Sequence, residues 1–172
     1  MNTKQQTVSA TCRRRLEIQG YLNFTDSELL EHRFGIRFAY WVCTLLAFFG
    51  VVTANLLILW GVALLALFAT LPPYHPIDYL YNYGVRHILG KSKLPPRSRQ
   101  GRFACGIAVV WLAATIYFIT NGQMVIAYAF GFTLVVVGLL VSLVDICIPS
   151  MLYNFLFHVN KSNQKKESVK QI

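Results

Sequence analysis

The chain has 172 residues, of which 55% are hydrophobic and only 13% charged, against roughly 25% charged in an ordinary soluble domain. That balance excludes a conventional water-soluble fold and leaves room for one membrane bundle with two short tails. The net charge of +9 comes from cations grouped beside apolar segments, where insertion topology and anionic headgroups account for it, so no nucleic-acid partner is expected.

Residues 1–35 read as a cytoplasmic N-terminal segment. Up to about residue 15 it is polar and expected to be mobile. From Leu16 to Arg33, Thr25 and Glu28 stand at capping-box spacing before Leu29 and Leu30, which predicts a short cytoplasmic helix leading into the membrane. A docking arm is the alternative reading of this stretch. No secretory signal is expected, because the first apolar run begins only near Ile36, behind Thr25, Asp26, Ser27 and Glu28.

Residues 36–158 read as a single membrane domain, with apolar runs over 36–53, 55–72, 102–120 and 124–147. At 1.5 Å per residue these reach roughly 26 to 36 Å, enough to cross a hydrocarbon core of about 30 Å. Asn55 and the Thr120-Asn121-Gly122-Gln123 cluster are polar breaks that read as turns, since such groups are costly in mid-bilayer. After the second run, Leu71-Pro72-Pro73-Tyr74-His75-Pro76 must end the helix. Beyond it Ile77, Leu80, Tyr81, Gly84 and Ile88 recur at helical spacing with Asp78, Asn82 and Arg86 on other faces, predicting an amphipathic helix in the headgroup layer. A loop over 91–101 leads to the third run. After Pro149, Leu152, Phe155, Leu156 and Val159 form a second such stripe, with Asn154, His158 and Lys161 off it. The basic C-terminal tail is 159–172.

The chain thus repeats itself, with repeat 1 over about 36–90 and repeat 2 over about 102–158. Arg37-Phe38-Ala39 opens the first copy and Arg102-Phe103-Ala104 the second. Leu80-Tyr81-Asn82-Tyr83 follows Pro76 as Leu152-Tyr153-Asn154-Phe155 follows Pro149. Each copy holds an even number of spans, so the two are parallel and not inverted. Cations lie before the first run, between the hairpins and after the fourth run, while the far turns carry none. The positive-inside rule therefore places both termini and the central loop in the cytoplasm. Gly61, Ala63, Ala66, Gly131 and Gly138 are expected to let helices approach closely.

Few residues could carry chemistry. Asp145 is the one ionisable group expected within a span, near its cytoplasmic end, with a central-loop cation or Arg102 as its expected partner. His75 and Asp78, and the paired Arg37 and Arg102, are further candidate interface residues. Neither zinc-type nor carboxylate metal spacing occurs, so no metal and no cofactor is expected. Cys43 and Cys105 read as packing. Cys12 lies beside Arg13, Arg14 and Arg15, which would favour its thiolate. Cys147, with Ser150 three residues on, reads as a candidate thiol at a helix C-terminus, where the dipole disfavours ionisation.

The order of Arg-Phe-Ala, apolar hairpin, Tyr74-His75-Pro76, Pro-Pro central loop, second Arg-Phe-Ala, second hairpin and Cys147 before Leu152-Tyr153 resembles the bacterial membrane family called domain of unknown function 4395, over roughly residues 33–157. The resemblance implies a four-helix integral membrane protein without an assigned activity. It also implies a C-x-x-C pair at the end of the fourth helix in many members, and an association of some with thioredoxin-like or sulfur-transfer proteins. Here only Cys147 matches, since Ser150 stands at the second position.

The fold expected is all-α: an integral membrane four-helix bundle of two parallel hairpin repeats, each followed by an interfacial amphipathic helix. The leading expectation for function is a non-enzymatic accessory or scaffold protein of the bacterial inner membrane. Its expected partners are the lipid bilayer, a protein at the cytoplasmic face and a second copy of the chain. Two alternatives stand beside it: a thiol-linked component using Cys147 with a cytosolic redox or sulfur-transfer protein, and a carrier or channel for a small neutral molecule.

Overall fold

A computed structural model describes residues 8–22, 24–71 and 74–157. The N-terminal end, Pro72 and Pro73, His158 and the basic tail over 159–172 lie outside the described residues. Among those described, the regular structure is entirely helical: α1 Ala10–Ile18, α2 Asp26–Val52, α3 Leu56–Thr70, α4 Pro76–Leu80, a π-helical turn Tyr81–Val85, α5 Arg86–Leu89, α6 Arg99–Thr120, α7 Met124–Val144 and α8 Ile148–Leu156.

Three helices, α2, α6 and α7, are long and apolar enough to cross a membrane. The run read as 55–72 yields only 15 helical residues in α3, about 22 Å at the α-helical rise. Its ends are set by chemistry. Asn55 Oδ1 accepts the Leu57 and Ile58 N–H groups at 3.0 and 3.2 Å, and a proline pair follows Leu71. The turn before α3 places Ala54 at φ 47°, and the turn between α6 and α7 places Gly122 at φ 73°.

The Thr25–Glu28 capping box is present: Thr25 N–H donates to Glu28 Oε2 at 2.8 Å and its hydroxyl accepts the Glu28 N–H. It does not start a separate short helix. Nothing after it breaks the α-helix, so one helix of 27 residues runs from Asp26 into the apolar segment. The preceding residues also differ from expectation. Ser9 caps α1, and Leu16 and Tyr21 are buried with Leu29, Ile36, Tyr81 and Leu94 in a second apolar core. Two large apolar side chains within six residues supply the burial that holds this stretch in place.

The main core lies where α2, α3, α6 and α7 meet, around Val51, Leu59, Leu112, Ile116 and Val135. α2 packs on α7 and α3, and α6 packs on α3 and α7. Close approach relies on particular glycines. A Cβ at Gly131 would stand 2.5 Å from Val51 Cγ2, and one at Gly138 would overlap Thr44. Gly61 faces open space, so it does not serve close packing within the chain.

The segment after α3 splits the expected apolar stripe between its inner and outer faces. Ile77, Asp78, Tyr81 and Asn82 point inward and are buried, while Tyr79, Leu80, Tyr83 and Ile88 are exposed. Polar Asp78 and Asn82 are thus interior beside apolar Ile77 and Tyr81. Their partners are internal: Asn82 Oδ1 accepts the Leu94 N–H at 2.9 Å. On α8, Met151, Leu152, Phe155 and Leu156 are exposed, and Ser150 is fully buried.

Gly131→Val is expected to cost about 1 to 3 kcal/mol by overpacking against Val51, visible as a lower thermal midpoint of the detergent-solubilised protein. Gly61→Val, in open space, is expected to leave that midpoint unchanged.

Candidate functional site: a thiol-lined cavity between two buried carboxylate centres

Asp145 ends α7 in the left-handed region, at φ 58°, and only 3% of it is exposed. A carboxylate so buried needs cations, and α2 provides them. Arg37 Nε and Nη2 both donate to it at 2.6 Å, and Arg33 Nε donates at 2.9 Å. Arg33 and Arg37 stand four residues apart and share one helix face. The expected partners from the central loop and Arg102 are not the ones used, because α7 packs against α2, which brings a different arginine pair to its end. Arg102 instead donates to Thr70 O at 2.9 Å and Leu71 O at 2.6 Å. Arg37 also donates to Leu143 O at 2.8 Å. The paired arginines thus do matching work, Arg37 from within α2 and Arg102 from the first turn of α6, each capping the carbonyl end of another helix.

The N-terminal segment completes the Asp145 centre. Gln19 Nε2 donates to Asp145 O at 2.8 Å, Arg15 Nη1 to Val144 O at 2.8 Å, and Cys12 Sγ to Asp145 Oδ2 at 3.7 Å. Burial pushes the Cys12 thiol up. The cations Arg33 and Arg37 oppose that shift, and the Asp145 carboxylate adds to it. The thiolate is therefore disfavoured, contrary to the reading from Arg13, Arg14 and Arg15: Arg13 is engaged by Glu17 and Asp26.

Asp78 is the second centre. Arg97 Nε donates to Asp78 Oδ2 at 2.8 Å and Nη2 to Oδ1 at 3.0 Å, with both side chains almost wholly buried. The guanidinium lies over the Tyr40 ring, 4.8 Å from its centroid. His75 N-caps α4, in a capping box with Asp78. Its N–H donates to Asp78 Oδ2 at 2.9 Å, and its Nδ1 accepts the Ile77 N–H at 3.1 Å. Burial lowers the His75 pKa to about 4, reinforced by Arg97 and opposed by Asp78, so the ring is neutral.

Between α2, α3, α6, α7 and the start of α8 lies a cavity of about 300 Å³. Ala39, Ala66, Ala108, Trp111 and Val137 contribute to apolar walls, and Tyr40, His75 and Arg97 stand at its polar part. Three cysteines from different elements line it: Cys43 of α2, Cys105 of α6 and Cys147. Cys43 Sγ is 3.7 Å from His75 Nε2. Among the described residues no cluster of three or more His, Cys, Asp or Glu could hold a metal ion. Cys147 is the N-cap of α8, not the end of α7. Ser150 Oγ donates to its sulfur at 3.0 Å. Burial raises the Cys147 thiol, and the Ser150 contact only partly opposes this. The helix dipole expected to hold it neutral is not the cause.

His75, Asp78, Cys147 and Ser150 were legible as candidates, but Arg97, Tyr40, Cys105 and Trp111 were not. Arg97 was one cation among several in the central loop. The signal available was Asp78 itself, an acid inside an otherwise apolar helix, which demands a counterion from somewhere in the chain.

A model of the family described as Domain of unknown function (DUF4395) matches residues 33–158. No curated protein and no solved structure matches the chain.

The His75 shift carries a pH dependence with a definite sign. The unfolded chain binds a proton at His75 near the ordinary imidazole value of 6.5 and the folded chain only at about 4. Stability should therefore fall as pH drops from 6.5 towards 4. His75→Asn, which keeps an N-cap acceptor, is expected to flatten that part of the stability profile measured by chemical denaturation. In the native protein Cys147, 3% exposed, is expected to be alkylated at least about tenfold more slowly than the half-buried Cys12, read as mass shifts of the separated peptides.

Proposed function

We propose, for a chain that belongs to the DUF4395 family, that it is an integral membrane protein which holds a small, neutral, largely apolar molecule taken from the bilayer. The observation that carries this reading is the cavity of about 300 Å³, within the range of small-molecule sites. Its charge is balanced: Arg97 is matched by Asp78, His75 is neutral, and no carboxylate lines the walls. A charged occupant would enter an apolar space without a counterion, which is costly. Leu152 and Ile148 of α8 line the cavity and are exposed on the outside as well. That edge is the way in from the lipid.

In this reading α2, α3, α6 and α7 form a four-helix bundle of two parallel hairpins, in an inner membrane with both termini cytoplasmic. Two pairs of features support the repeat. Arg37 and Arg102 each cap the end of a partner helix. His75 and Asp78 occupy the N-cap and N3 positions of α4 as Cys147 and Ser150 do in α8. His75 and Cys147 both border the cavity, which supports a site between the two proposed repeats, where membrane proteins built from repeats commonly bind. Exchange of Cys147 with a cytosolic protein gains no support, since the thiol is buried and held neutral.

Organic extraction of the purified protein followed by mass spectrometry is expected to recover one small neutral molecule in near-stoichiometric amount. Ala108→Phe, which fills the cavity wall, is expected to remove it while the protein still elutes as a single folded species. Recovery of phospholipid alone, equal in both proteins, would overturn the reading.

A further inference from the structure

The polar part of the cavity has a chemical direction that its volume does not reveal. His75 Nδ1 accepts the Ile77 N–H at 3.1 Å. In the neutral ring the proton must then sit on Nε2. That N–H points to Cys43 Sγ at 3.7 Å, a weak acceptor, and it borders the cavity. Arg97, which spends Nε and Nη2 on Asp78, stands at the same part of the lining with donors only. The three thiols there are weak donors. Trp111 is excluded from this set, because its N–H is spent on Phe130 O at 2.9 Å. No carboxylate and no Asn or Gln lines the cavity. Thr44 and Thr133 also line it with hydroxyls that both donate and accept, Thr133 donating to Ala129 O at 2.7 Å; the donor that faces only a weak acceptor is His75 Nε2, and the apolar walls lie beyond it.

Resting on the pocket reading above, we propose that the occupant is an apolar carbonyl compound, a ketone or quinone in type, whose oxygen accepts the His75 Nε2 hydrogen bond while its hydrocarbon body lies against Ala66, Ala108 and Val137. A carbonyl oxygen fits because it accepts and does not donate, and because it carries no net charge into a lining that offers no counterion. An amine would bring a cation to a guanidinium.

The test uses the full chain in lipid nanodiscs with two probes of nearly equal shape, 2-acetylnaphthalene and 2-ethylnaphthalene, measured by equilibrium dialysis against empty nanodiscs. The ketone is expected to bind roughly tenfold more tightly than the hydrocarbon, with its carbonyl stretch moved to lower wavenumber than in lipid alone. His75→Asn preserves the N-cap acceptor, but its shorter side chain carries its amide N–H groups nearer the backbone and leaves no donor at the Nε2 position, so it is expected to abolish the preference and the infrared shift while hydrocarbon binding persists. Equal binding of the two probes to the wild-type protein would overturn the carbonyl assignment and leave the pocket standing. A preference that survived in His75→Asn would overturn the role of His75. Binding of neither probe above the empty nanodiscs would overturn the pocket reading and this inference with it.

Discussion

The buried Asp78–Arg97 pair is the constraint on which the candidate site depends. Removing two full charges from water is expensive unless each is matched in geometry and in hydrogen bonds, and here the match is bidentate. Asp78 also receives the His75 N–H, so the carboxylate is saturated on more than one side. One consequence is positional: the pair ties the turn after α3 to the entry of α6, residues far apart in sequence. Another is chemical, because it cancels the charge at the edge of an apolar space.

Asp145 applies the same rule at the other helix end. Its cations come from α2, and the same arginine face satisfies the last carbonyls of α7. Helix termini leave unpaired carbonyls that water cannot always reach. Both α3 and α7 meet this requirement with an arginine from the helix packed against them. Cations that insertion topology alone would explain are therefore also structural ligands. The basic composition of the chain is partly a measure of how many helix ends it has to close.

How far the fold was readable follows from which forces are local. The long apolar runs, the capping box at Thr25 and the turn at Asn55 depend on neighbours in sequence, and each could be located from residue types. The outward face of α4 and α5 could not. A helix with polar and apolar faces was legible at Ile77–Ile88, but which face turned inward was fixed by Arg97 and Leu94, which donate to Asp78 and Asn82. Cys147 was legible as unusual, and its neutrality was anticipated, but the cause is burial as the N-cap of α8 and not the dipole of α7.

The sequence by itself determined that this chain has helices of membrane length, that its cations flank them, and that the few polar residues near the helix ends need partners, because hydropathy, periodicity and capping are properties of short stretches. Only the tertiary structure decided which partners those are. Asp145 with Arg37, Asp78 with Arg97, and Cys43, Cys105 and Cys147 around one cavity are pairings across elements. They depend on which helix packs on which, a choice made by Gly131 against Val51, Gly138 against Thr44 and the shared core, and no local pattern encodes it.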